Sequence, residues 1–316
     1  MQKTNITSIT EFILLGFQIP RSIRIFLFCL LLVIYFLTIS GNLLLIALVS
    51  HCTNLQSPMY IFLTQLSMND ILLATDIVPN MLHTLINEHG TISFVGCITQ
   101  LYFFSASETS ECFLLMIMSY DRYLAICHPL HYGSIMKIAF SLKLAAVSWI
   151  LSFSLILIDI LSISNLQFCG ANTIDHFFCD LAPLLEISCS ETDIVQLEVV
   201  LLSGPVVILP CLVILASYIY IIVTITRIPS QIDRQKAFST CISHLTVVSI
   251  FYGTLFTVYT LPTRGQSSLL AKALSLLYTV GTPLMNPIIY SLRNKEIKKS
   301  LKKVINVKIS CFARSN

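Results

Sequence analysis

Four runs of this chain, residues 25–49, 199–226, 238–263 and 273–292, contain no Asp, Glu, Lys or Arg. Each is long enough to cross a bilayer, because about 20 apolar residues in a helix span the hydrocarbon core. Residues 58–80, 98–120 and 143–161 also reach spanning length but carry acidic groups that lipid-facing helices avoid. Hydrophobic residues make up 55% of the chain and charged ones 11%, about half the charged share of a soluble domain. The expected architecture is an all-α membrane protein, a seven-transmembrane helix bundle over residues 25–292. Residues 1–24 are expected as an extracellular amino-terminal segment and 293–316 as a cytoplasmic tail.

Basic residues set the orientation, since Lys and Arg collect on the cytoplasmic side. Loops on alternate sides put 14 of the 19 with the carboxyl terminus; Lys3, Arg21, Arg24, Arg264 and Lys272 lie opposite. The chain is therefore expected in the plasma membrane with its amino terminus outside. Asn5-Ile6-Thr7, the one N-glycosylation sequon, agrees, because such a site works only in the lumen. The apolar run 12–17 is too short, and lacks the basic flank, for a cleavable signal peptide, so the first span should serve as anchor.

Cys97, Cys169, Cys179 and Cys189 fall on the outer, oxidising side, where disulfides persist. Four cysteines allow three pairings, and spacing does not choose among them. A bridge from Cys97 into the loop between spans four and five would pin a lid over the bundle mouth. The other seven cysteines read as small buried hydrophobes, with Cys311 in the basic tail a palmitoylation candidate. Residues 294–305 place Ile297, Leu301, Val304 and Ile305 at helical spacing between lysines, an amphipathic helix suited to an anionic inner leaflet.

Residues 118–132, MSYDRYLAICHPLHY, put Asp121-Arg122-Tyr123 where a membrane helix meets water. An arginine there is costly without a partner, and Asp121 supplies one. Further motifs are Gly41-Asn42, Pro58-Met59-Tyr60, residues 236–245 (KAFSTCISHL) and residues 283–294 (PLMNPIIYSLRN). With these the chain resembles the rhodopsin-like G-protein-coupled receptors and, within them, the odorant receptors. The string His176-Phe177-Phe178-Cys179-Asp180 has the same look. Together the motifs are very specific, although Asp-Arg-Tyr alone is not. Departures are small: Ser119 and Leu124 replace the usual Ala and Val, and Gln56-Ser57 the common His-Thr. Phe251-Tyr252-Gly253 stands where other rhodopsin-like receptors carry a toggle tryptophan, with Tyr252 as the natural substitute, and the sole tryptophan, Trp149, is expected to pack.

The resemblance implies bridges Cys97–Cys179 and Cys169–Cys189. It implies a small volatile odorant as ligand and a stimulatory heterotrimeric G protein, acting through cyclic AMP, as partner. Membrane lipid is the remaining expected partner, with neither nucleic acid nor enzymatic activity expected. A non-olfactory chemosensory receptor of the same fold is the alternative. A transporter would usually show inverted repeats, and an intramembrane aspartyl protease would need a Gly-x-Gly-Asp setting; neither is found.

The intramembrane acids can be read physically. At about 1.5 Å per residue, Glu111 lies roughly 16 Å from Arg122 and Asp70 roughly 18 Å from Pro58, so they share a depth. Asn42 and Asn286 sit about 10 to 12 Å above the same face, completing a polar belt. Two carboxylates in low dielectric repel unless protonated or bridged by a cation. The favoured occupant of Asp70 and Glu111 is a sodium ion; one shared proton is the alternative. Asp76 has no assigned direction, facing either solvent or the pocket.

Glu108 lies one turn outward from Glu111, with Phe104 a further turn out. Ionised it suits an amine; protonated it donates to a carbonyl or alcohol; in a structural role it would be satisfied by a neighbour such as Ser105. Facing it, Tyr252, Leu255, Phe256 and Tyr259 form a stripe of the sixth span. Leu202, Ser203 and Val206 are available from the fifth, Leu276 and Thr279 from the seventh, and Thr109 beside Glu108 itself. The resemblance places a ligand pocket here, and a mostly apolar cavity with few polar anchors suits a small volatile molecule. Binding would favour an outward swing of the sixth span through differential affinity for two states. Arg122 would leave Asp121, Tyr218 and Tyr290 would rearrange, and Tyr123 and Lys236 would complete the coupling surface. Pro205, Pro210, Pro283 and Pro287 would supply kinks.

Overall fold

The computed structural model describes residues 9–169, 172–260, 268–294 and 296–303. The chain opens with strand β1 (Glu11–Leu14), then α1 (Arg21–His51), α2 (Pro58–Asn87), strand β2 (Gly90–Ser93) and α3 (Phe94–Cys127). There follow the short α4 (Pro129–Ile135), α5 (Ile138–Ser164), strand β3 (Thr173–Ile174), the short α6 (Leu181–Glu186) and α7 (Asp193–Thr226). The last elements are α8 (Gln231–Thr260), α9 (Ser268–Leu276) and α10 (Thr282–Arg293). A π turn at Leu277–Gly281 joins α9 to α10, so these three pieces make the seventh passage.

Each expected span is helical, the seventh with a π turn inside it, and apart from α8, which is described to Thr260, each covers the whole apolar stretch that marked it. Backbone hydrogen bonding continues into polar surroundings, where side-chain apolarity is no longer required. α2 starts on Pro58, whose missing N–H is no loss in a first turn. α3 is capped by Ser93, whose hydroxyl accepts from the Gly96 N–H at 3.0 Å. Pro79, Pro205, Pro210 and Pro287 lie inside helices, each removing one rung of the ladder. Pro283 instead sits in the first turn of α10, so the kink expected there is replaced by the π turn before it.

α1 exposes Phe26, Val33 and Phe36, and α7 exposes Val200, Leu209 and Ile219, toward the surrounding lipid. α3 buries residues along its whole length, including both glutamates' neighbours Ser107 and Ser110. Two apolar clusters fill the bundle. One, around Phe62, Leu115, Ile221 and Phe251, lies toward the tail end. The other, around Phe12, Phe104, Phe177 and Phe178, lies toward the end carrying both disulfides.

That disulfide end is capped by a three-stranded sheet of order β2-β1-β3. β1 runs antiparallel to β2, pairing Phe12 with Ile92, and parallel to β3, pairing Leu14 with Ile174. The apolar run 12–17 thus falls partly in strand β1 and partly in the segment after it, with Phe12, Leu14 and Phe17 buried. Gly16 follows at φ +58°, and a Cβ there would lie 2.5 Å from Thr84 Cγ2. The two bridges are Cys97–Cys179 and Cys169–Cys189, with Cα separations of 5.4 and 5.8 Å.

At the tail end, residues 296–303 are helical. Asn294 Oδ1 caps them, accepting from the Glu296 and Ile297 N–H groups at 3.0 and 3.2 Å. Ile297 is buried and Leu301 packs on the tail-end cluster, as their spacing predicts. Asn5, Val304, Ile305 and Cys311 lie outside the described residues.

Candidate ligand cavity and coupling end

A cavity of about 1130 Å³ opens among α3, α5, α7, α8, α9 and the loop that follows α5. Phe104, Ser105, Glu108 and Thr109 line it from α3, Ser203 from α7 and Leu255 from α8, as expected. Several expected wall residues do not. On α7 the lining residues are Gln196, Val199, Val200, Ser203 and Val207, and Leu202 and Val206 are not among them. On α8 it is Phe251 and Leu255; Tyr252 is buried with its hydroxyl beside Cys112, and Phe256 is 46% exposed on the outside. On the seventh passage Leu274, Ser275 and Tyr278 line the cavity in place of Leu276 and Thr279. Thr279 is buried and donates to the Ser275 carbonyl at 2.7 Å. The side chain of Tyr259 lies outside the described residues.

Two carboxylates in the wall are incompletely satisfied. Both oxygens of Glu108 are buried without a hydrogen-bond partner among the described residues, so the expected help from Ser105 is not there. Asp159, on α5, accepts from the Ser203 hydroxyl at 2.7 Å through Oδ2, while its Oδ1 has no partner. Asp159 was not picked out as a site residue, although it is the single acid in its span.

The roof comes from the loop between α5 and α7. The His176 ring lies with centroids 4.6 Å from both Phe177, to which it is tilted, and Phe178, which it meets edge-on. Burial, aided by nearby Lys272, pushes its pKa down to about 3, so it is neutral. Lys272 reaches across from α9 to Asp175 at 2.5 Å and to the Gly16 carbonyl at 2.7 Å. Asp180 caps α6 through the Leu181 N–H at 2.8 Å, and burial raises its carboxyl pKa. Gln100 braces the bridge, accepting from the Cys179 N–H at 3.0 Å and donating to the Asp76 carbonyl at 2.9 Å. Asp76 does not line the cavity.

Deeper in the bundle, Asn286 Nδ2 donates to Asp70 Oδ1 at 2.9 Å and to Glu111 Oε1 at 3.3 Å. The second oxygen of each acid has no partner among the described residues. Asn42 stands apart from this trio: its amide donates to the Thr38 and Pro283 carbonyls at 3.1 Å each, tying α1 to α10.

At the tail end Arg122 donates to Asp121 Oδ2 through Nη2 at 2.6 Å and Nε at 3.1 Å. The other carboxylate oxygen accepts from the Tyr132 hydroxyl of α4 at 2.8 Å, a third partner not read from the motif that contains it. Tyr218 on α7 and His244 on α8 meet at 2.6 Å. Tyr123 points away from the ion pair, with its hydroxyl 3.0 Å from His128 Nε2. Tyr290 is buried, and Lys236 is exposed with Asp233 at 3.6 Å. Tyr60 donates to Asn294 at 3.2 Å, and Trp149 packs on Phe153 while donating to Gln65 at 3.0 Å.

A lipid-facing bundle with a cavity at one end and an arginine–carboxylate pair at the other is the build of a seven-helix membrane receptor. The family model described as olfactory receptor matches residues 28–308. The chain is 46% identical over 310 residues to olfactory receptor 1M1 of Mus musculus, covering 98% of this chain and 99% of that one. It is 47% identical over 305 residues to olfactory receptor 287 of Rattus norvegicus, covering 96% and 98%. With olfactory receptor 11H4 of Homo sapiens it shares 46% identity over 297 residues, covering 94% and 92%. The chain belongs to the olfactory receptor family, which sets enzymatic readings aside.

Proposed function

We propose that a small volatile odorant bound in the 1130 Å³ cavity drives this protein to activate a stimulatory heterotrimeric G protein and raise cyclic AMP. The observation that carries the reading is that α3 and α8 serve both ends. α3 puts Glu108 in the cavity wall and Arg122 in the latch, roughly 21 Å apart along one helix. α8 puts Leu255 in the wall and His244 against Tyr218. A ligand that packs better when the wall residues of α8 shift biases that helix toward its swung-out position. Tyr218 then parts from His244, and Arg122 from Asp121 and Tyr132, opening a site for the G protein. Lys236 and the lysines of residues 296–303 give that surface the positive charge that draws acidic partners and lipid heads.

The proposed topology has the disulfide end and Asn5 outside the plasma membrane and the tail in the cytoplasm. The 14 basic residues gathered on the tail side support it. We assign a sodium site to Asp70 and Glu111 in the resting state. The free second oxygens of both acids fit a cation, with Asn286 orienting the pair from between them. The ion supplies the positive charge that lets two buried carboxylates coexist.

The test is cyclic AMP in cells with confirmed surface staining, under a broad panel of volatiles. Ligand-evoked cyclic AMP that disappears in Arg122→Ala is the expected result; ligand binding with no G-protein response would overturn the coupling.

A further inference from the structure

We infer that the cavity selects amines bearing a second hydrogen-bond donor, short aliphatic diamines and amino alcohols, with Glu108 and Asp159 as its two anchors. This rests on the receptor reading above and adds the ligand's chemistry to it. Glu108 sits in the α3 wall with neither oxygen partnered among the described residues. Asp159 is 5% exposed in an α5 wall otherwise made by Ile156, Ile160 and Ile163, and its Oδ1 is likewise unpartnered. The nearest polar neighbour, Ser203, has its donor committed to the other oxygen of Asp159. The two acids come from different helices but line one cavity.

An ammonium group beside a buried acid favours its ionised form, and an ionised carboxylate only accepts, so the donors of an amine complete these sites. A buried acid left unpaired is costly, and a charge-assisted bond to an ammonium group relieves that cost best. Among the described residues the cavity lining contains no Lys or Arg to receive a carboxylate ligand. His176 in the roof is held neutral, and Lys272 is engaged with Asp175 and Gly16. Ketones and esters bring no charge and so gain no charge-assisted bond here, and a carboxylate ligand would meet like charge. The same lining includes Phe104, Phe251 and Leu255, which offer an apolar surface to a run of methylenes.

The test uses the purified full chain in detergent, heated with pentylamine, cadaverine, aminopentanol, pentanoate or pentanone. Cadaverine and aminopentanol are expected to raise Tm most and pentylamine less, with pentanoate and pentanone inert. Asp159→Asn should reduce the cadaverine shift to that of pentylamine, and Glu108→Gln should remove both. A diamine length series on the unaltered receptor tests the same point without mutation. Two anchors give an optimum length, whereas one gives a steady rise with added methylenes. A shift from pentanoate or pentanone without one from the amines overturns the inference, as does a steady rise, no amine shift at all, or amine shifts that survive both substitutions. Cyclic AMP in cells separates this from the receptor reading. Signalling to neutral volatiles with no amine binding defeats only the amine assignment. Amine binding with no G-protein response to any volatile defeats only the coupling.

Discussion

The two ends of the bundle treat polar groups in opposite ways. At the tail end most of the coupling side chains are partnered within the protein: Arg122 and Tyr132 share Asp121, Tyr218 meets His244, and Tyr60 meets Asn294, with the Tyr290 hydroxyl the exception among the described residues. In the cavity, both oxygens of Glu108 and one of Asp159 are without partners among the described residues. In the proposed mechanism the first arrangement is a resting state held by its own contacts, and the second is completed by a ligand. On that proposal an effector gains most by completing the cavity, and the energy is used at the far end to exchange one set of internal bonds for another.

The comparison breaks most visibly if the tail-end pairing is removed. Arg122→Ala leaves Asp121 buried with Tyr132 alone, and losing one member of a buried pair costs about 3–5 kcal/mol. Ligand-evoked cyclic AMP should vanish while ligand-induced thermal stabilisation in detergent persists. At the cavity end the largest loss should come from Cys97→Ser, which frees the roof from α3; removing such a bridge costs about 2–5 kcal/mol. Surface staining and Tm should both fall, and an unchanged Tm would show that the sheet and Lys272 hold the roof unaided.

Between the two ends, sodium chloride replacing choline chloride should raise Tm in the wild type and not in Asp70→Asn. Saturation at about 100 times Kd corresponds to about 2.7 kcal/mol. Equal shifts in both proteins would leave the pair to a shared proton.

Per pH unit the smallest effect concerns the roof. His176 has its pKa pushed down to about 3 by burial and by Lys272, against 6.5 when exposed. As pH falls below about 6.5 the unfolded chain takes up the proton first, so the stability of the neutral, buried ring is lost progressively toward pH 3. The slope approaches about 1.4 kcal/mol per pH unit. Asp180, with its pKa raised by burial, pulls the other way, so the difference between wild type and His176→Gln isolates the histidine. Superimposable Tm–pH curves for the two would refute this account of the ring.

The helices were legible because uncharged runs of spanning length have one stable solution in lipid, and Asp121-Arg122 announced its own partner. Helix rotation was less legible. On α7 nearly every residue is apolar, so no polar stripe distinguishes the face of Ser203 and Val207 from that of Leu202 and Val206. The same ambiguity displaced Tyr252, Phe256, Leu276 and Thr279. Asp159 could have been found by the rule that singled out Glu108, since an acid in a membrane helix needs a reason. The pairing of Asp70, Glu111 and Asn286 followed from depth alone, whereas Asn42 shared the depth but pointed elsewhere. Strand β1 was hidden because its partners begin near residues 90 and 173, far beyond any local pattern.

The position of β1 has a consequence for the order of assembly. Its two neighbouring strands and the Lys272 that grips Gly16 are synthesised long after it, the last of them on the final membrane passage. The first strand made is therefore among the last to find its place. Until residues 90–93 and 173–174 have been made both edges of β1 are unpaired, Phe12 and Phe17 wait for Phe168 and Phe177, and the Gly16 carbonyl waits longest, for Lys272.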